Sequence, residues 1–205
     1  MKIGIIPAAG KAERFGGILK ELLPARDGVS FINHAADRLR LICDLIIIVT
    51  NKDKAQSHIQ NVKDALFIEQ DNNLNLLGAV QSALKIEAER YYFTMPDTYM
   101  RNDIFIDTPL VNGLSLGIFE TRKPERFGCL VDGLIVDKSH SINAPANAWG
   151  VLSWGWAWRD NFFYADNFTD VINGIIKKAG FSTWNIGEYS DMATVKDYIE
   201  YMKND

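Results

Sequence analysis

The chain has 205 residues, 47% of them hydrophobic and 23% charged. That is the composition of a globular protein with its own core and excludes a disordered chain. Its 22 basic and 26 acidic residues leave a net charge of −4, which excludes a protein that coats nucleic acid, because that role needs an excess of Lys and Arg. Cys43 and Cys129 stand far apart and only three histidines accompany them. They read as buried free thiols in a reducing compartment rather than as a zinc site. No apolar run approaches membrane-spanning length, and residues 1–7 are too short for the apolar core of a signal peptide. The expectation is a cytoplasmic protein with no membrane and no nucleic-acid partner.

Lys2–Pro7 (KIGIIP) is continuously apolar and stops at a glycine-bearing loop, as a buried parallel strand does. Residues 30–41 follow with Phe31, Ala35 and Leu39 at helical spacing and Ser30 as N-cap. Residues 44–50 (DLIIIVT) are the clearest strand, β-branched on both faces. A helix is expected over 56–65 and a strand over 65–69. Residues 75–90 predict a long helix with Leu77, Val80, Ala83, Leu84 and Ala88 apolar. Residues 91–95 (YYFTM) close the series as a strand ending at Pro96-Asp97. This alternation predicts an α/β fold, a Rossmann-like doubly wound and mostly parallel sheet that binds ligands beyond the carboxyl ends of its strands. In the second half, residues 114–120, 128–136 and 148–154 read as strands, with Asp132-Gly133 as a hairpin turn. Helices are expected over 169–179 and 193–202. With no repeat and no linker, 1–205 reads as a single domain whose second half, 109–205, carries mixed or antiparallel strands.

Residues 7–24 read PAAGKAERFGGILKELLP. Ala8, Ala9 and Gly10 follow the first strand directly. Their small size lets an anion approach the main-chain N–H groups, while Arg14 and Lys20 place two cations nearby. The segment lacks the GK[ST] ending of a Walker A loop and the glycine spacing of the dinucleotide fingerprint. Read without further context, it fits a tight turn with two solvated cations as well as a triphosphate cradle.

The segment resembles the signature loop of the sugar-phosphate nucleotidyltransferases, AAGxGTRLxPLTxxxPKxLLP. Ala8, Ala9, Gly10, Arg14, Lys20, Leu22, Leu23 and Pro24 fall on matching positions. Ala12, Glu13 and Leu19 depart from the pattern, standing where that family has a glycine, a threonine and a proline. The resemblance implies that the loop wraps a nucleoside triphosphate, that Arg14 contacts the departing pyrophosphate, and that Lys20 contacts the phosphates near the reacting phosphorus.

The resemblance continues in order along the chain. Gln70, followed by Gly78 in LGAVQSA, is similar to the stretch whose glutamine side chain and glycine backbone read the base edge. Met95-Pro96-Asp97 resembles the LGD motif that supplies a magnesium ligand. Lys138, then Asn143 and Ala148-Trp149-Gly150-Val151, resembles the EKP and NxAxxGIY segments, which implies that Lys138 and Gly150 bind the acceptor. Residues 191–198 (DMATVKDY) are similar to DxGTPEDY, which implies Asp191 as second magnesium ligand and Thr194 as a helix cap. On this reading 1–108 is the nucleotide-binding half and 109–205 the acceptor half.

The implied enzyme, a nucleotidyltransferase of the pyrophosphorylase type, joins a nucleoside triphosphate to a sugar 1-phosphate or similar phosphomonoester with Mg²⁺ and releases pyrophosphate. A homo-oligomer remains open. The alternatives are a cytidylyltransferase acting on a phosphorylated alcohol such as phosphocholine, a GT-A-type glycosyltransferase, or a nucleotide-binding module whose altered loop no longer catalyses. Trp149, Trp154, Trp156 and Trp158 lie within ten positions and read first as core or interface, second as a stacking platform.

Overall fold

The computed structural model describes residues 1–11, 13–71 and 75–203. The first half alternates as expected: β1 (Lys2–Pro7), α1 (Phe31–Arg40), β2 (Leu45–Thr50), α2 (Ala55–Asn61), β3 (Leu66–Glu69), α3 (Leu76–Ala83) and β4 (Arg90–Thr94). A two-residue strand, β5 (Thr98–Tyr99), follows. The second half contributes β6 (Leu114–Thr121), β7 (Gly128–Val131), β8 (Leu134–Asp137), β9 (Ala146–Gly155), α4 (Phe168–Ala179), β10 (Phe181–Asn185), β11 (Ser190–Asp191) and α5 (Val195–Lys203).

The main sheet runs β10-β6-β9-β4-β1-β2-β3. Strands β4, β1, β2 and β3 are mutually parallel, so α1, α2 and α3 cross over its faces. Strand β9 breaks the pattern by lying antiparallel between β4 and β6, and β10 lies parallel to β6. The β7–β8 hairpin turns at Asp132-Gly133, both with positive φ, and joins the sheet through β7 and β9. The fold is thus α/β with a mainly parallel first half and a mixed second half.

Successive residues of β1 and β2 point to opposite faces. Ile3, Ile5, Ile47 and Val49 pack with α3 and α4, and Ile6, Ile46 and Ile48 pack with α1. Gly4 lets α1 come close, since a Cβ there would lie 2.8 Å from Leu39 Cδ1. Among the tryptophans, Trp154 is fully buried, stacked at 5.7 Å on Tyr91 and at 4.7 Å on Phe162.

Three helices differ from expectation. The predicted 75–90 helix ends at Ala83, and Arg90 opens β4 instead. Its buried guanidinium donates to Ser153 Oγ at 2.7 Å, to Ser115 Oγ at 3.0 Å and to the carbonyls of Val111 and Pro109. Those partners lie on the second half of the chain, so tertiary contacts override the helical pattern. The predicted 56–65 helix ends at Asn61, where Val62 turns extended and buried. Ser30 does precede α1, but its hydroxyl accepts from Asn33 Nδ2 at 2.8 Å rather than from the backbone.

Candidate active site

The carboxyl ends of β1, β2 and β4 open into a cleft of about 490 Å³, lined by Ala8, Gly10, Lys11, Glu13, Arg14, Lys20, Glu21, Lys54 and Asp97 among others. Short 3₁₀ turns over Glu13–Phe15 and Lys20–Leu22 shape the loop and set Arg14 and Lys20 on its wall. Gly16 and Gly17 take positive φ between them, which glycine adopts without strain. The base of the loop is tied down: Ala8 N donates to Val49 O at 2.7 Å, and Asn51 Nδ2 to Ala9 O at 2.7 Å. Glu13 lines the cleft and, among the described residues, makes no ion pair. Ala12 lies outside the described residues.

Asp97, at the end of β4, is buried and ion-paired with Lys20. Asp191 reaches the same place from far along the chain because β11 pairs with β5 in the register Asp191↔Thr98. Met192 N then donates to Asp97 O at 3.1 Å. Burial, and after it the Asp97 carboxylate, push the Asp191 carboxyl above its usual value against the pull of Arg126 and Lys20. Arg126 Nη2 donates to Asp191 Oδ2 at 3.0 Å and to Asp197 Oδ2 at 3.0 Å, while Nη1 donates to Asp197 Oδ1 at 2.7 Å. Burial alone would push Asp197 up, but the bonds from Arg126 and Thr194 outweigh it and hold the carboxyl below its usual value. Asp197 and Thr194 also form a reciprocal cap at the start of α5: Thr194 N donates to Asp197 Oδ2 at 2.8 Å, and Asp197 N to Thr194 Oγ1 at 3.2 Å.

A second cleft of about 790 Å³ adjoins the first. Its walls include Trp149, Phe127, Tyr189 and Phe168, with Arg126, Lys138, Glu125 and Asp137 at its polar positions. Lys138 stands at positive φ just past β8, an uncommon conformation for a residue with a Cβ. Tyr189 stacks on Phe119 at 4.1 Å, and its hydroxyl lies within the influence of Asp191 and Asp97. Burial, then the charges of Asp191 and Asp97, raise that phenol well above its ordinary value. Arg14, Lys20, Met95, Asp97 and Ala193 line both clefts and form the passage between them.

Of the residues named from the sequence, Ala8, Gly10, Arg14, Lys20, Asp97, Asp191 and Lys138 line one or both clefts. The others stand apart. Gly150 lies beneath Tyr189 rather than on the cleft wall, and a Cβ there would come 2.6 Å from the Tyr189 ring. Ala9 presents its carbonyl to Asn51. Gln70 is buried past β3, with its N–H donated to Thr50 O at 2.8 Å. Gly78 gives its N–H to Asn75 Oδ1 at 3.1 Å, the cap of α3. Neither Gln70 nor Gly78 is among the residues lining the two clefts. Residues 72–74, within the predicted base-reading stretch, lie outside the described residues. Sequence reasoning missed Glu21, Lys54, Arg126 and Tyr189. Only Glu21 left a signal, a carboxylate set among Leu19, Leu22 and Leu23.

A doubly wound sheet with a cation-rich loop at its carboxyl edge and two clefts meeting at paired carboxylates defines a nucleotidyltransferase-type domain. The chain belongs to the MobA-like NTP transferase domain family, whose model matches residues 4–109. Over 53 residues it is 40% identical to a probable molybdenum cofactor guanylyltransferase of Rhodopirellula baltica. That stretch is 26% of this chain and a quarter (25%) of the relative's length. In fold it is similar to a protein of Bacillus anthracis assigned as a glucose-1-phosphate thymidylyltransferase, solved in complex with sucrose. The TM-score is 0.84 at 19% identity, covering 98% of this chain and 94% of the other. It is also similar to the inositol-1-phosphate CTP transferase of T. maritima, with a TM-score of 0.73 at 13% identity, covering 98% and 95%.

Proposed function

We propose that the protein transfers a nucleotidyl group from a nucleoside triphosphate to a sugar 1-phosphate, or a comparable phosphomonoester, and releases pyrophosphate. The observation that carries this reading is the shared wall. Arg14, Lys20 and Asp97 face both a loop-bounded cleft suited to phosphates and a larger aromatic cleft suited to an acceptor. Two substrates seated there meet at those residues. A phosphate oxygen of the acceptor attacks the α-phosphorus, and the bond from that phosphorus to the β-phosphate oxygen breaks. Pyrophosphate leaves with the electron pair. The nucleophile is already an anion, so the site needs no base. It must offset repulsion between two phosphates and hold them in line.

Lys20 serves the phosphates around the reacting phosphorus, Arg14 the departing pyrophosphate, and Lys138 the acceptor phosphate. Asp97 and Asp191 fit a magnesium ion. They are neighbouring carboxylates with hard oxygen donors, each balanced here by a cation, Lys20 or Arg126, that a metal can relieve. Bound there, Mg²⁺ would neutralise phosphate charge.

A hexose 1-phosphate with a thymidine or uridine triphosphate is the first pairing to expect. The aromatic lining of Trp149, Phe127 and Tyr189, with Glu125 and Asp137 beside it, favours a second reading. That reading is cytidylyl transfer to a phosphorylated alcohol with a cationic head, such as phosphocholine. A pyrophosphate-release screen tests both, crossing the four ribonucleoside triphosphates and dTTP with glucose 1-phosphate, inositol 1-phosphate and phosphocholine. Release that needs one base and one acceptor supports the proposal and names them. Release of free phosphate alone, or sugar transfer from a nucleotide sugar without pyrophosphate chemistry, overturns it. The guanylyltransferase relative makes GTP an informative arm of the same screen.

A further inference from the structure

Glu21 sits beside Lys20 in the same 3₁₀ turn and lines the same cleft, but it has different partners. Lys20 pairs with Asp97, whereas Glu21 is 2% exposed and pairs elsewhere. Its Oε1 accepts from Lys54 Nζ at 2.7 Å and from His58 Nε2 at 3.0 Å. His58 Nδ1 lies 2.8 Å from Thr50 Oγ1 at the end of β2. Lys54 Nζ also reaches Ala8 O at 3.4 Å, and Lys54 N donates to Asn51 Oδ1 at 3.1 Å. Asn51 in turn holds Ala9 O. One carboxylate thus ties the Lys20 turn to the end of β2, to the start of α2 and to the loop that follows β1.

A buried ion pair is weak as a stability device, because an apolar pair of the same volume often serves as well. What it supplies is a defined geometry. The bonds at Glu21 fix the turn from the inside, and the backbone they fix is the one that carries Lys20. Burial raises the Glu21 carboxyl, but His58 and Lys54 outweigh it and keep the group below its usual value.

We propose that Glu21 is a positioning residue for nucleotidyl transfer, which acts through Lys20 by anchoring its turn to Lys54 and His58. The proposal rests on the triphosphate reading of the first cleft. If Glu21 acts only through Lys20, its removal costs nothing once Lys20 is gone. A merely structural residue would add its own loss to that of Lys20.

The test is calorimetric titration of inorganic pyrophosphate, with magnesium, into wild type, Lys20→Met, Glu21→Gln and the double variant, with melting curves as the fold control. Pyrophosphate avoids any dependence on the base. Lys20→Met is expected to weaken binding about tenfold or more, the scale of one charge-assisted contact. Glu21→Gln is expected to weaken it by about as much. The double variant should then lie within about twofold of Lys20→Met, as coupled neighbours do. Wild-type binding by Glu21→Gln, or losses that multiply, overturns the positioning role. If Glu21→Gln does not fold, His58→Leu loosens the anchor at a residue that lines neither cleft. It should show the same loss, and wild-type affinity in that variant overturns the role. A wild type that takes up no pyrophosphate overturns the phosphate reading of the cleft itself. Binding with additive losses overturns only the role of Glu21.

Discussion

Arg126 joins the site to the rest of the molecule, and replacing it with methionine is a demanding test. Its three hydrogen bonds reach Asp191 in the site and Asp197 at the start of α5. The side chains of Arg126, Asp191 and Asp197 are 24%, 20% and 14% exposed. The cluster therefore lies between a surface pair, worth about 0–1 kcal/mol, and a buried one, whose breakage costs about 3–5 kcal/mol. A loss of roughly 2–3 kcal/mol follows, and for a chain of this size that is a fall in Tm of about 4–12 °C. The pH dependence has a definite sign. Asp197 sits below the ordinary value of 3.8, so its stabilisation is fully present above that value and is lost as pH falls through the lower folded value. Calorimetric melts of wild type and Arg126→Met should differ fully at pH 7 and begin to converge only as pH falls below about 4. A difference under about 1 °C at pH 7, or one that widens in acid, would refute the reasoning.

Trp154→Ala removes a fully buried ring stacked with Tyr91 and Phe162 and should cost about 3–5 kcal/mol in urea unfolding. A loss under about 1 kcal/mol would contradict the packing account. Gly150→Ala places a Cβ 2.6 Å from a Tyr189 ring already stacked on Phe119. A shift of Tyr189, which lines the second cleft, should raise the acceptor KM while triphosphate affinity holds; equal loss of both would refute this. Lys138 is exposed, so Lys138→Met should leave Tm within about 2 °C of wild type. It should raise the acceptor KM about tenfold, and an unchanged KM would remove Lys138 from the acceptor site.

The first half of the fold is legible because β1, β2 and β4 are buried on both faces, which writes them as largely apolar runs. β10 is hard to read because Phe181–Asn185 forms an edge strand in which only Trp184 is buried. β5 and β11 are two residues each, too short for any periodicity. Yet that small ladder is what carries Asp191 to Asp97. Residues with a family motif around them (Arg14, Lys20, Asp97, Lys138 and Asp191) could be named from sequence, and the structure gathers them around two adjoining clefts. Lys54, Arg126 and Tyr189 have local sequences that say little. Their importance lies in partners that are often distant in the chain, such as Arg126 with Asp197, and spacing alone does not reveal such pairs.

The account stands or falls on the first cleft as a magnesium–triphosphate site. The direct measurement is thermal shift of wild type and Asp97→Ala with each nucleoside triphosphate and magnesium. A ligand at 100 times its Kd stabilises by about 2.7 kcal/mol, which for this chain is a rise of roughly 5–10 °C. The account predicts that rise with one base in wild type and a smaller one in Asp97→Ala. No rise with any triphosphate, or an equal rise in both proteins, would contradict it.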